Sequence, residues 1–132
     1  MIIIATVLAA FALARIDTRA FDTEGFANQA IAMTRYAQRT AISQRRTVAV
    51  VITAGTPGTI RLCYTDTSCS GGDVREPPGS GAFAKTSGSG IAVAGTSFTF
   101  SALGRPSAGG TITITGDVAR TITIEAETGY VH

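Results

Sequence analysis

One histidine and two cysteines in 132 residues remove most enzyme classes before any motif is sought. The histidine is His132, the last residue, and a fraying end is a poor place to hold an imidazole in catalytic register. A Ser-His-Asp or Cys-His centre is therefore not expected. Cys63 and Cys69 have neither a second CxxC pair nor clustered histidines beside them, so no zinc site assembles from this sequence. No glycine-rich phosphate loop of standard spacing occurs, and the acidic residues are scattered through turns and ends without the paired carboxylates of glycosidase chemistry. The expectation is a protein that is not an enzyme and needs no cofactor. Charge is sparse as well: 15% of residues are charged, against about 25% in an average soluble domain. Ten of the eleven basic residues are arginine, set against nine acidic ones. The net charge of +2 is too small to demand nucleic acid or an anionic membrane as a partner.

What is present is apolar sequence, 45% of the chain, which is enough for one domain with one modest core. Met1 to Ala14 is apolar throughout except for Thr6, and Arg15 ends the run. A stretch of about 14 residues falls short of the roughly 20 that span a bilayer as a helix. It also starts without the basic region of a secretory signal. The expected reading is the distal part of a membrane-spanning helix, the alternative being a buried core helix. Beyond it, Asp17 and Asp22 suit caps or breaks and Gly25 is a weak point, which places a boundary between an apolar helix over 1–22 and a globular domain over 23–132. A helical pattern continues to about Arg46. At 100° per residue Phe26, Ala30, Met33, Ala37 and Ala41 form one stripe, the pattern of a helix laid on a sheet. Arg35, Arg39 and Arg46 project on another side with Ile31 and Ile42 among them, a mixed face that suits either an interface or solvent.

From Thr47 the period becomes that of strands. Val48 to Thr53 is almost wholly apolar, Ile60 to Thr65 alternates, and Ala54-Gly55-Thr56-Pro57-Gly58 between them signals a hairpin. Cys63 and Cys69 can close a small loop if oxidised, or stand as two free thiols. A membrane-directed N-terminus favours an oxidising compartment and hence the bridge. Asp66 to Gly90 is rich in Gly, Ser and Pro and reads as a long exposed loop. Phe98-Thr99-Phe100, Thr111 to Thr115 and Thr121 to Glu125 then make a second group of strands, the last two forming a hairpin with Ile112, Ile114, Ile122 and Ile124 inward. The whole is an α+β domain, a long N-terminal helix packed on antiparallel sheet.

These residues carry a resemblance. The order of apolar helix, amphipathic continuation through Arg35-Tyr36-Ala37-Gln38-Arg39-Thr40-Ala41, strand Thr47 to Ile52 and closing segment Phe98 to Val131 resembles the minor pseudopilins and minor type IV pilins of the GspH/FimT family. Phe98-Thr-Phe100 followed by Gly104, and the ending Ile122-Thr-Ile124-Glu-Ala-Glu-Thr-Gly129-Tyr-Val131, are particularly similar. Phe26-Ala-Asn-Gln-Ala-Ile-Ala-Met and Leu62-Cys63-Tyr64 are closest to MSHA-type minor pilins. The resemblance implies a structural subunit of a type IV pilus or type II secretion pseudopilus, held in the bacterial inner membrane by its N-terminal helix with the domain in the periplasm. It further implies pilin or pseudopilin subunits and an inner-membrane assembly platform as partners, and a role in filament assembly or at the tip. A helix apolar at its start suits both lipid and a core of like helices. The family's basic leader ending in Gly, the Phe exposed by cleavage and the Glu shortly after it are not found here, so the expectation is either a start assigned too late or a shortened gene. Ile31, Arg35, Arg39 and Ile42 are the expected subunit contacts. Some FimT-like pilins are associated with DNA uptake, which gives a second reading with Arg45, Arg46, Arg105 and Arg120 as phosphate contacts. Glu125, Glu127 and His132 supply no basic tail for it.

Overall fold

The computed structural model describes Ile4, residues 19–79 and residues 81–132. The expectation of an apolar membrane or filament-core segment over Met1 to Ala14 lies outside these residues, apart from Ile4. Among the described residues no helix is long and apolar enough to cross a membrane.

Helix α1 (Arg19–Gln44) is 26 residues long and runs without interruption through Asp22 and Gly25, where the sequence suggested caps or a break. Gly25 is exposed and a Cβ there would meet nothing within 4 Å, so its cost to the helix is the ordinary ~1 kcal/mol of glycine. Packing on either side outweighs that. Thr23 and Phe26 are already buried, and Glu24 pairs with Arg120 at 2.6 Å. The helix closes with Arg46 N–H donating to Ala41 C=O at 3.2 Å and Arg45 in the left-handed region at φ 50°. A residue in that conformation with this hydrogen bond caps the orphan carbonyls of the last turn.

Among the described residues seven strands follow: β1 (Val48–Thr53), β2 (Thr59–Tyr64), β3 (Ala84–Thr86), β4 (Ala92–Gly95), β5 (Phe98–Phe100), β6 (Gly110–Thr115) and β7 (Ala119–Ile124). They make two antiparallel sheets, ordered β3-β2-β1-β5 and β4-β6-β7. The two expected hairpins are present, with Val50 opposite Leu62 and Ile112 opposite Ile122. Phe98–Phe100 does not join the later strands. It pairs with β1, with Phe98 opposite Val50 and Phe100 opposite Val48, because those partners extend the apolar face beneath the helix. Its place in the second sheet is taken by β4. Gly55 and Val93 exchange two backbone hydrogen bonds, at 3.1 and 2.9 Å, and so tie the sheets together.

The helix lies across both sheets, and its stripe is the centre of the core. Phe26, Ala30, Met33, Ala37 and Ala41 are all buried, Ala30, Ala37 and Ala41 completely. Small side chains there let the backbone approach Val48, Val50 and Phe100 on one side and Ile112, Ile114, Ile122 and Ile124 on the other. Burial of each large aliphatic or aromatic side chain contributes about 1.5–3 kcal/mol. On the far face of the second sheet Thr111 stands opposite Thr123 and Thr113 opposite Thr121, β-branched pairs that suit a wet pleated surface.

The segment read as a single long loop, Asp66 to Gly90, is tied down internally. Val74 is buried in the core, Asp73 bridges to Cys63 and Arg75 to Ala82, and β3 pairs with β2. The buried Ser87 hydroxyl donates to Ile91 C=O at 2.7 Å and accepts from Gly58 N–H at 3.0 Å. Composition alone hides this, because backbone pairing places little demand on side chains.

Candidate functional site

The helix side next to the core stripe is where the four candidate contact residues fall. Ile31, Arg35, Arg39 and Ile42 lie within about 80° of arc at 100° per residue, and the last turns of the chain cover part of that arc. Ile31 is half-buried and packs on the core. The Arg35 guanidinium donates to Val131 C=O at 2.9 Å. Ile42 is 49% exposed and leans on Gly104, while Arg39 is exposed. The residue that organises this side was missed in the sequence. Gln38 is one heptad after Ile31, and its Nε2 donates to Gly104 C=O at 2.9 Å and Thr128 C=O at 3.1 Å. That spacing is the only local sign of its role. The helix is thereby latched to the β5–β6 turn and to the closing segment 125–132. Leu103, 90% exposed, stands beside this latch and next to Gly104. The outward surface thus presents Arg39, half of Ile42 and Leu103, together with Arg35, which is exposed although its guanidinium is tied to Val131.

A second cluster surrounds the disulfide. Cys63 and Cys69 are bonded, with Cα atoms 5.2 Å apart, and enclose Asp66. Its Oδ1 accepts from the Ser68 amide and hydroxyl at 3.1 and 2.7 Å and from the Ser70 amide at 3.1 Å, and its Oδ2 accepts from the Ser70 hydroxyl at 2.8 Å. These hydrogen bonds favour the charged carboxylate, the Ser68 and Ser70 hydroxyls most, and lower its pKa to about 2. The sign follows from linkage. The unfolded carboxylate has the higher pKa, so the contribution to stability is whole above about pH 4 and is lost as pH falls toward 2. A carboxyl-carbon NMR titration is expected to place the Asp66 midpoint near 2, and a midpoint near 4 would show the turn to be unformed in solution. Loop closure over so short a span is worth about 2–3 kcal/mol. Cys63→Ser should cost about that much in a urea melt, and reductant should reproduce the loss in the parent protein; unchanged melting in both cases would mean that the bridge carries no stability.

Beyond the disulfide, Arg46 stacks on the Tyr64 ring at 3.8 Å, and Tyr36 meets Phe83 edge-on at 5.3 Å. The four arginines considered for phosphate contacts are not gathered into one patch. Arg45 and Arg46 close the helix, whereas Arg120 is paired with Glu24 near its start, about 30 Å away along the axis at 1.5 Å per residue. Arg105 lies on the β5–β6 turn and is paired with Glu127 at 2.6 Å. Nothing in this arrangement favours DNA binding over a structural role. Among the described residues no group of three or more His, Cys, Asp or Glu side chains is placed to hold a metal ion.

A long helix laid over two small antiparallel sheets and latched by a closing segment is a pilin-like fold. Residues 27–128 match the model of the family described as type II transport protein GspH, and the chain belongs to that family. It is accordingly a structural subunit of pilin or pseudopilin type. Its fold is similar to that of the type IV minor pilin FimU of Pseudomonas aeruginosa in two crystal forms. For the first the TM-score is 0.65 at 18% identity, covering 87% of this chain and 90% of that one. For the second the values are 0.61, 17%, 83% and 90%. No curated protein matches the sequence.

Proposed function

We propose that this protein is a minor pilin or pseudopilin that takes its place among other pilin-type subunits through the outward side of α1, in a filament raised from the bacterial inner membrane into the periplasm or beyond. The observation that supports this most is the match of the GspH family over residues 27–128, which includes the helix stripe from Ala30 to Ala41 and both sheets. The helix geometry agrees with it. One side of α1 is spent on the core, the latch at Arg35 and Gln38 fixes the helix to the domain, and Arg39 and Ile42 remain for a neighbour. The N-terminal apolar run, Met1 to Ala14, supplies the membrane and filament-core segment in this reading, and the inner-membrane assembly platform is the machinery that acts on it. A role in assembly or at the tip follows from the likeness to minor rather than major subunits.

A photo-crosslinking residue placed at Arg39 or Ile42 in the native host tests the proposal. Adducts with pilin or pseudopilin subunits, identified by mass spectrometry of the crosslinked peptides, are the expected result. The same residue at Thr123, on the far face of the second sheet, serves as the comparison. Adducts that form equally at all three positions, or with proteins of unrelated class only, would overturn the assignment of this helix side.

A further inference from the structure

The flank of α1 away from the latch borders a groove. Tyr36 lies about 160° around the helix from Gln38 at 100° per residue, and with Gln44 it forms one wall. Tyr64 at the end of β2, with Val74, Pro77 and Pro78 from the segment that returns beside β2, forms the other. The span from Tyr36 to Gln44 is about 12 Å at 1.5 Å per residue, and the groove holds about 460 Å³. Its walls are fixed before anything enters. Phe83 meets the Tyr36 ring edge-on and Arg46 stacks on that of Tyr64, while Tyr64 N–H donates to Gly72 C=O at 2.8 Å and Val74 N–H to Leu62 C=O at 3.1 Å. Such preorganisation lowers the cost of binding. The polar groups of the groove share one character. Among the described residues the Tyr36 and Tyr64 hydroxyls and the Gln44 amide make no hydrogen bond, and Arg75 has only a long one, 3.5 Å to Gly79 C=O. All four donate. The one carboxylate in the wall, Asp73, is engaged by Arg61 Nε at 2.7 Å.

We propose that this groove takes a proline-rich segment of another polypeptide, bound in polyproline II form and flanked by acidic residues. A run of prolines offers backbone carbonyls and no N–H, so walls that donate, and whose carboxylate is already spent, match it. A sugar is matched poorly, because its hydroxyls donate as well as accept and would need that carboxylate. Pyrrolidine rings pack on tyrosine and proline side chains, the mode by which aromatic-lined grooves hold such segments. At about 3.1 Å per residue the groove accommodates about four prolines. Charge sets what flanks them. Arg46, over the Tyr64 ring, and Arg75, in the wall, have no carboxylate partner among the described residues, and acidic residues on the segment complement them. The inference stands apart from the filament reading, since it uses neither Arg39 nor Ile42.

The test uses the full chain in detergent micelles and the capped peptide Glu-Pro-Pro-Pro-Pro-Glu, followed through amide chemical shifts. Saturable shifts around Tyr36, Gln44, Tyr64 and Val74 are the expected result. Glu-Gly-Gly-Gly-Gly-Glu carries the same charge but must be ordered on binding, and should bind about tenfold more weakly or worse. Lys-Pro-Pro-Pro-Pro-Lys should also lose about tenfold, through Arg46 and Arg75. Tyr36→Phe and Tyr64→Phe keep the rings and remove only the hydroxyls. Each should weaken binding about three- to tenfold, the size of one hydrogen bond, and leave thermal melting unchanged, since neither hydroxyl is bonded among the described residues. Equal affinity for the proline and glycine peptides, tighter binding of the lysine peptide, or parent affinity in both Phe variants overturns the proposal. So does the absence of saturable shifts, or their appearance only at other surfaces.

Discussion

Replacing Gly129 with alanine is expected to lower stability by about 2–5 kcal/mol, though it adds one methyl group near the end of the chain. Gly129 has φ +70°, where a residue with a Cβ pays about 1–2 kcal/mol. The added carbon would also sit 2.6 Å from Gly104 C=O, 2.5 Å from Gln38 Nε2 and 3.1 Å from the Phe100 ring. The first is backbone and cannot swing aside, and overpacking of this kind costs about 1–3 kcal/mol more. The Gln38 amide that joins Gly104 to Thr128 lies in the same place, so the latch between helix and closing segment is forced open. Gly110→Ala is the matched control: a Cβ there meets nothing within 4 Å. A urea melt should separate the two variants clearly, and equal melting would show that the latch is not closed in solution.

Ala37→Asp should be as damaging by a different route. Ala37 is wholly buried at the middle of the helix stripe, and a carboxylate placed there has no partner in the core. An uncompensated buried charge costs several kcal/mol, comparable with the whole stability of a small domain. Loss of a cooperative thermal transition in circular dichroism is the expected result. Ala32, exposed on the same helix, provides the comparison, and Ala32→Asp should stay within about 0.5 kcal/mol of the parent. If Ala37→Asp melted like the parent, the stripe would not be the face against the sheets.

Much of the architecture was legible because it rests on periodicity. The alternation of Thr and Ile in β6 and β7 places Ile112, Ile114, Ile122 and Ile124 under the helix whatever else the chain does, and Phe26, Ala30, Met33, Ala37 and Ala41 select the helix face that meets them. The two hairpins were legible from turn signals between apolar patterns. Helix continuity through Asp22 and Gly25 was not legible, because local propensity there is weak and the contacts that decide it, Glu24 with Arg120 among them, join residues far apart in sequence. The pairing of β5 with β1 was hidden for the same reason, Phe98-Thr99-Phe100 being compatible with either sheet.

The candidate site divides along the same line. Ile31, Arg35, Arg39 and Ile42 were found together because a helix puts them together, and the sequence determines that much through its 3.6-residue period. Which of them remain untied is decided by the closing segment, whose Val131 carbonyl takes Arg35 and whose Thr128 carbonyl takes the neighbouring Gln38. Backbone carbonyls leave no trace in side-chain patterns. The sequence by itself determined the helix stripe, the two hairpins and the class of subunit they build, since each depends on neighbours a few residues away. Only the tertiary structure decided the latch and the split of the strands between two sheets, because each joins backbone groups from segments that no local pattern relates.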